Sequence, residues 1–144
     1  MELTITPYLM LDGRAQEAIH FYQELFGAEI IGQEYLKDWP GEMGIEVTPE
    51  NEGRVMHAHL KIGNSEIMLA DYLPGQTPQP GSSINLMIVV KEAETAAKLF
   101  SLLLNGGKEV MPLQETGFSP ATGQVIDKFG IEWQIVTDQP DMES

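Results

Sequence analysis

RVMHAHLKIGNSEIMLADY, residues 54–72, is the stretch from which the fold can be read. Val55, His57, His59 and Lys61 alternate with Met56, Ala58, Leu60 and Ile62, the period of a strand with one polar and one apolar face. Gly63, Asn64 and Ser65 supply turn chemistry, and 66–70 reads as a second strand folding back on the first. His57 and His59, at i and i+2, therefore share a face about 6–7 Å apart along the strand. They are the most chemically loaded pair in the chain.

Composition bounds what that pair can serve. At 144 residues the chain suits one domain, or two small modules sharing a core. Hydrophobic content of 42% with two helix-like periodic stretches indicates a globular protein. The absence of cysteine excludes disulfides, thiolate-bound zinc, iron–sulfur clusters and thiol nucleophiles. Against 8 basic residues stand 22 acidic ones, a net charge of −14 with no basic stripe, which argues against nucleic acid and anionic membranes as partners. MELTITPYLM lacks the basic start and small-residue cleavage site of a signal peptide, and no apolar run reaches membrane-spanning length. The expectation is a soluble, cytoplasmic protein.

Outward from the hairpin, 3–11 reads as a strand with Ile5, Leu9 and Leu11 on one face and Thr6, Tyr8 and Met10 on the other. Asp12 is placed to cap a helix whose buried stripe is Ala15, Ala18, Ile19, Tyr22, Leu25 and Phe26, closed by Gly27. His20 falls off that stripe and reads as a solvated surface residue. A strand follows over 28–37. The acidic, Pro- and Gly-rich 38–53 reads as loop, with Trp39 as either a lid residue or a surface anchor. Residues 73–82, LPGQTPQPGS, read as a linker. Beyond it come a strand over 84–90, a helix carrying Ala93, Ala96, Ala97, Phe100, Leu103 and Leu104 and closed by Gly106 and Gly107, and a short strand over 109–113. GFSPATG (117–123) reads as a loop, and strands over 124–128 and 131–137 close the pattern ahead of an acidic tail.

Both halves thus run strand, helix, three strands. A shift of 79 residues sets Ile5 on Ile84, Leu9 on Ile88, Leu11 on Val90, Ala18 on Ala97, Phe21 on Phe100, Leu25 on Leu104 and Gly27 on Gly106. The expected architecture is α+β: two βαβββ modules, 1–72 and 83–138, joined by the linker 73–82 and followed by a tail at 139–144, one structural domain overall. Neither module alone has enough strands to bury a core. Ile67, Leu69, Trp133 and Ile135 are expected on the helix-facing sides. Thr6, His57, His59, Met68, Asn85 and Gln134 are expected on the opposite sides, where mixed sheets curved around a pocket would hold a ligand.

This doubled order resembles the vicinal-oxygen-chelate superfamily of glyoxalase I, bleomycin-resistance proteins and extradiol dioxygenases. Within it the chain is most similar to the PhnB-like branch. The matching strings are Pro7-Tyr8-Leu9, Glu17-Ala18-Ile19-His20-Phe21-Tyr22, Phe26-Gly27-Ala28-Glu29, His57-Ala58 and Ile62-Gly63. They continue with Ser65-Glu66-Ile67-Met68, Asp71, Pro74, Gln114-Glu115-Thr116 and Asp127-Lys128-Phe129-Gly130 with Trp133. One departure lies at 117–123, where the branch usually carries a tryptophan and an aromatic–glycine pair. Here Phe118 can stand for the tryptophan, and Thr122 replaces the aromatic before Gly123.

The resemblance also locates the superfamily's metal ligands, on the first and fourth strands of each module, at Thr6, Met68, Asn85 and Gln134. An alcohol, a thioether and two amides do not suit a divalent cation that wants imidazole or carboxylate. No cofactor is therefore expected. The alternative is a divalent metal held by His57 and His59 with Glu66 or Asp71 as a third ligand across the hairpin. A cupin also shows His-x-His before a glutamate, but sooner in sequence than Glu66, and two helices do not suit an all-β barrel. No phosphate-cradling glycine motif and no Gly-x-Ser-x-Gly is present, which also speaks against adenosylmethionine chemistry. Asp71 and Asp127 read as structural caps or surface acids, and no catalytic constellation can be named.

The reading is a metal-free small-molecule-binding protein, expected to form a homodimer. Its ligand face would comprise His57, His59, Asn85 and Gln134 with Thr6, and Met10, Met68, Met87 and Phe118 as apolar walls. Two alternatives stand beside it: a lyase, isomerase or dioxygenase using a divalent metal at His57 and His59, and a dimer that sequesters an antibiotic.

Overall fold

A computed structural model describes residues 1–41 and 44–137. The chain divides into two compact units, the first ending at Gln79 and the second beginning at Pro80, so the boundary falls inside the Pro- and Gly-rich 73–82. The tail at 139–144 lies outside the described residues.

In the first unit the order is β1 (Tyr8–Leu11), α1 (Ala15–Phe26), β2 (Glu29–Tyr35), a 3-10 turn (Leu36–Asp38), β3 (Val55–Ile62) and β4 (Ser65–Asp71). The sheet runs β1-β4-β3-β2, with β1 parallel to β4 and the other pairs antiparallel. The residues of α1 at helical spacing, Ala15, Ala18, Ile19 and Tyr22, are fully buried. On the strands, Leu9, Leu11, Ala58, Leu60, Ile67 and Leu69 form the buried alternate set. Each large side chain so buried contributes about 1.5–3 kcal/mol. The helix ends at Gly27, whose φ of 68° lets its N–H reach the Gln23 carbonyl at 2.9 Å.

The second unit repeats the plan: β5 (Leu86–Val90), α2 (Ala93–Leu104), β6 (Lys108–Thr116), β7 (Ser119–Ile126) and β8 (Glu132–Thr137), in sheet order β5-β8-β7-β6 with β5 parallel to β8. Ala96, Phe100 and Leu103 of α2 are buried with Val125, Trp133 and Ile135 of the sheet. Gly106, the counterpart of Gly27, also has a positive φ, 79°. The two βαβββ modules of the α+β reading are therefore both present.

Four local expectations change. β1 begins at Tyr8, not at residue 3, because Tyr8 pairs with Met68 and Pro7 has no N–H to extend the ladder. By that register, residues ahead of 5 would lie beyond the start of β4, and Ile5 is 89% exposed. β5 begins at Leu86, which pairs with Trp133 of the fourth strand of that module, leaving Ile84 and Asn85 ahead of it. Asp12 does not cap α1: the N-cap is Arg14, without a side-chain cap bond, and the Ala15 N–H donates to Asp71 Oδ1 at 2.9 Å. Most of GFSPATG is strand, since Gly117 and Phe118 make a tight turn between longer strands and Ser119 opens β7. Ser119 is buried, its hydroxyl 2.9 Å from that of Thr137, and Thr122 pairs with Val136 in the ladder.

On α2, Ala93 and Ala97 stay exposed, which narrows the expected stripe. Among the described residues 38–53 is irregular beyond its opening 3-10 turn, and Trp39 is half-exposed.

Candidate functional site

The face of the first sheet opposite α1 gathers the chemistry. His59 pairs with Met68 across β3 and β4, and Met68 pairs with Tyr8 across β4 and β1, so the three share one row. His57 stands on the same face one step along β3, opposite Glu34 of β2. The Tyr8 side chain spans β4 to reach it: its hydroxyl lies 3.1 Å from His57 Nδ1, and the two rings are tilted at 44° with centroids 5.8 Å apart. His59 Nε2 lies 3.1 Å from Glu66 Oε1. Met10 and Met68 border these groups, both partly buried.

These side chains remain within reach of a ligand. Tyr8 is 46% exposed, and the His59 side chain retains 25% of its surface. Burial of the remainder holds the Tyr8 phenol above its ordinary value of about 10, because the phenolate loses more hydration than the neutral hydroxyl. Lys61 faces Glu66 across the hairpin.

The other expected site residues fall elsewhere. Thr6 precedes β1 and is partly buried. In the second unit Met87 pairs with Gln134 and Gln134 with Gln124, forming one row. Asn85 lies outside β5 and is exposed, and Phe118, 51% exposed, caps the turn between β6 and β7. His20 is exposed as expected, with the Gln16 amide 3.1 Å from its Nε2.

The two aspartates are structural. Asp71 is 2% exposed and accepts from Ala15 N–H and from Val55 N–H, both at 2.9 Å. It thereby ties the start of α1 to the start of β3. Asp127, equally buried, accepts from the N–H groups of Phe129 and Ile131 and from Trp133 Nε1.

The four positions at which the resemblance implies metal ligands carry neither imidazole nor carboxylate. Thr6, Met68, Asn85 and Gln134 offer an alcohol, a thioether and two amides, and two of the four lie outside the strands. Among the described residues no group of three or more His, Cys, Asp or Glu side chains is arranged to hold an ion.

Tyr8 is the member of this site that the sequence did not single out. Its parity with Thr6 and Met10 puts it on the right face, but only the parallel β1–β4 register brings it to His57.

The family model described as 3-demethylubiquinone-9 3-methyltransferase matches residues 3–136. Protein YjdN of Escherichia coli K12 is 31% identical over 147 residues, spanning 96% of this chain and 99% of that protein. The crystal structure of protein PA1353 from Pseudomonas aeruginosa has a TM-score of 0.85 at 28% identity, covering 96% of this chain and 99% of that one. A Bacillus cereus structure described as a putative 3-demethylubiquinone-9 3-methyltransferase, PhnB protein, has a TM-score of 0.75 at 30% identity, covering 94% and 99%. The fold is that of the glyoxalase/bleomycin-resistance/dioxygenase superfamily. Within it, the chain belongs to the family of the matching model, the PhnB-like branch. Among the described residues no helix is long and apolar enough to cross a membrane.

Proposed function

We propose that this chain is a metal-free small-molecule-binding protein whose ligand rests on the α1-distal face of the first sheet. The observation that carries the reading is the group Tyr8, His57, His59 and Glu66, partly exposed and flanked by Met10 and Met68. A few directional polar groups beside soft apolar surface is the composition of a ligand site. The protein is taken to act in the cytoplasm as a homodimer, and its acidic charge disfavours polyanionic partners.

The methyl transfer in the family model's description is not carried over, because no glycine-rich turn after a strand is available to seat adenosylmethionine. One contact favours a second reading: Glu66 beside His59 is the carboxylate that a divalent-metal lyase, isomerase or dioxygenase at His57 and His59 would recruit. Antibiotic sequestration is a special case of the first reading.

Metal analysis of the purified protein separates the two. The metal-free reading expects no stoichiometric metal in either the wild type or a His57→Ala/His59→Ala variant. One tightly bound equivalent, lost in the variant, would establish the metal enzyme instead.

A further inference from the structure

The hydrogen bonds made by His57 and His59 leave their rings with unlike free nitrogens. Glu66 is acceptor-only when ionised, so the His59 Nε2 that meets it at 3.1 Å carries a proton. The free nitrogen of a neutral His59 is then Nδ1, an acceptor. At His57 the partner is the Tyr8 hydroxyl, 3.1 Å from Nδ1. A phenol is the stronger donor and an imidazole lone pair the stronger acceptor, so the hydroxyl donates into Nδ1. Burial keeps that phenol protonated beyond its ordinary range. The free nitrogen of His57 is therefore Nε2–H, a donor.

Charge on the same face narrows the ligand further. Glu34 is paired with His57 and Glu29 with Lys61 in the ladder, and Glu66 contacts His59, while Lys61, facing Glu66, is the cation beside them. Three carboxylates against one ammonium, on a chain of net charge −14, disfavour an anionic ligand.

We propose that Tyr8 and Glu66 are positioning residues that fix His57 as a donor and His59 as an acceptor, so that this face recognises a neutral ligand of the carboxamide class. The amide oxygen accepts from His57 Nε2–H, the amide N–H donates to His59 Nδ1, and an attached apolar group packs on Met10 and Met68. This assignment rests on the reading of the face as a ligand site.

Histidine 15N NMR, which distinguishes the two tautomers of an imidazole, tests it directly. In the wild type both rings should show protonated Nε2 and bare Nδ1. Tyr8→Phe should redistribute the His57 tautomers and leave His59 unchanged, and Glu66→Ala should do the reverse, which a merely structural role would not produce. Hexanamide should then shift both imidazoles saturably, with hexanoate binding at least tenfold more weakly. Tyr8→Phe should weaken hexanamide about tenfold, the loss of one oriented hydrogen bond. A bare Nε2 on His57 in the wild type overturns the assignment, as does hexanoate binding as well as hexanamide. So does a metabolite screen that perturbs both rings with compounds other than amides while hexanamide has no effect. In each of those cases the binding reading stands. If no compound perturbs either ring, the binding reading falls as well.

Discussion

Replacing Asp71 by alanine should be among the most damaging single changes in the first unit. The carboxylate is 2% exposed and satisfies two backbone donors, Ala15 N–H at the first turn of α1 and Val55 N–H at the start of β3. Its removal strands both. A buried donor left without a partner costs about 1–3 kcal/mol. The lost negative charge at the helix N-terminus adds about 0.3–1 kcal/mol. The sum, about 2–7 kcal/mol, is a large part of the stability of a typical domain, about 5–15 kcal/mol. With a urea m-value of about 2 kcal/mol per molar, the midpoint should fall by about 1–3.5 M. Asp71→Asn should cost about half as much, since its amide oxygen still serves one donor and its NH2 faces the other. Asp12→Ala is the control: Asp12 lies on the sequence where a cap is expected, but makes no cap bond, so it should change stability by under about 0.5 kcal/mol. The reasoning is refuted if Asp71→Ala lowers the midpoint by less than about 0.5 M, or if Asp12→Ala proves the more costly change.

Three further outcomes are expected. Asp127→Ala should destabilise the second unit by about 3–6 kcal/mol in urea unfolding, because Phe129, Ile131 and Trp133 each lose an acceptor, whereas a loss under about 1 kcal/mol would mean solvent replaces it. Gly123→Ala should cost about 1–3 kcal/mol in the same assay, since its Cβ would sit 2.9 Å from Phe100 Cε2 and 3.1 Å from the Leu113 Cα; a neutral substitution would show that α2 yields easily. Because the folded-state value of Tyr8 is raised, its contribution to stability is fully present below pH 10 and is lost as pH rises through that value. Tyrosinate absorbance should therefore show a late-titrating component that Tyr8→Phe removes, and titration of that component at or below pH 10 would contradict the burial argument.

Local pattern and chain repetition carried most of the fold. Helical spacing located α1 and α2, alternation located the β3–β4 hairpin, and the 79-residue shift sets Gly27 on Gly106, both of which adopt positive φ. What escaped depends on pairing between distant segments. The start of β1 is set by its parallel partner 60 residues away, Tyr8 opposite Met68. The strand content of GFSPATG is set by hydrogen bonds from Ser119 to Thr137, which composition does not reveal. At the candidate site the His-x-His pair was legible from strand period alone. Tyr8 was not, because nothing local ties a residue near the N-terminus to His57, 49 positions on.

The most direct test of the central claim is the melting temperature of metal-stripped protein against a metabolite library, in wild type and in the His57→Ala/His59→Ala variant. A ligand at a hundredfold excess over its Kd should stabilise the wild type by about 2.7 kcal/mol, a rise of about 8 °C, that grows with concentration and disappears in the variant. Stabilisation that appears only after a divalent metal is restored, or that survives loss of both histidines, would contradict it.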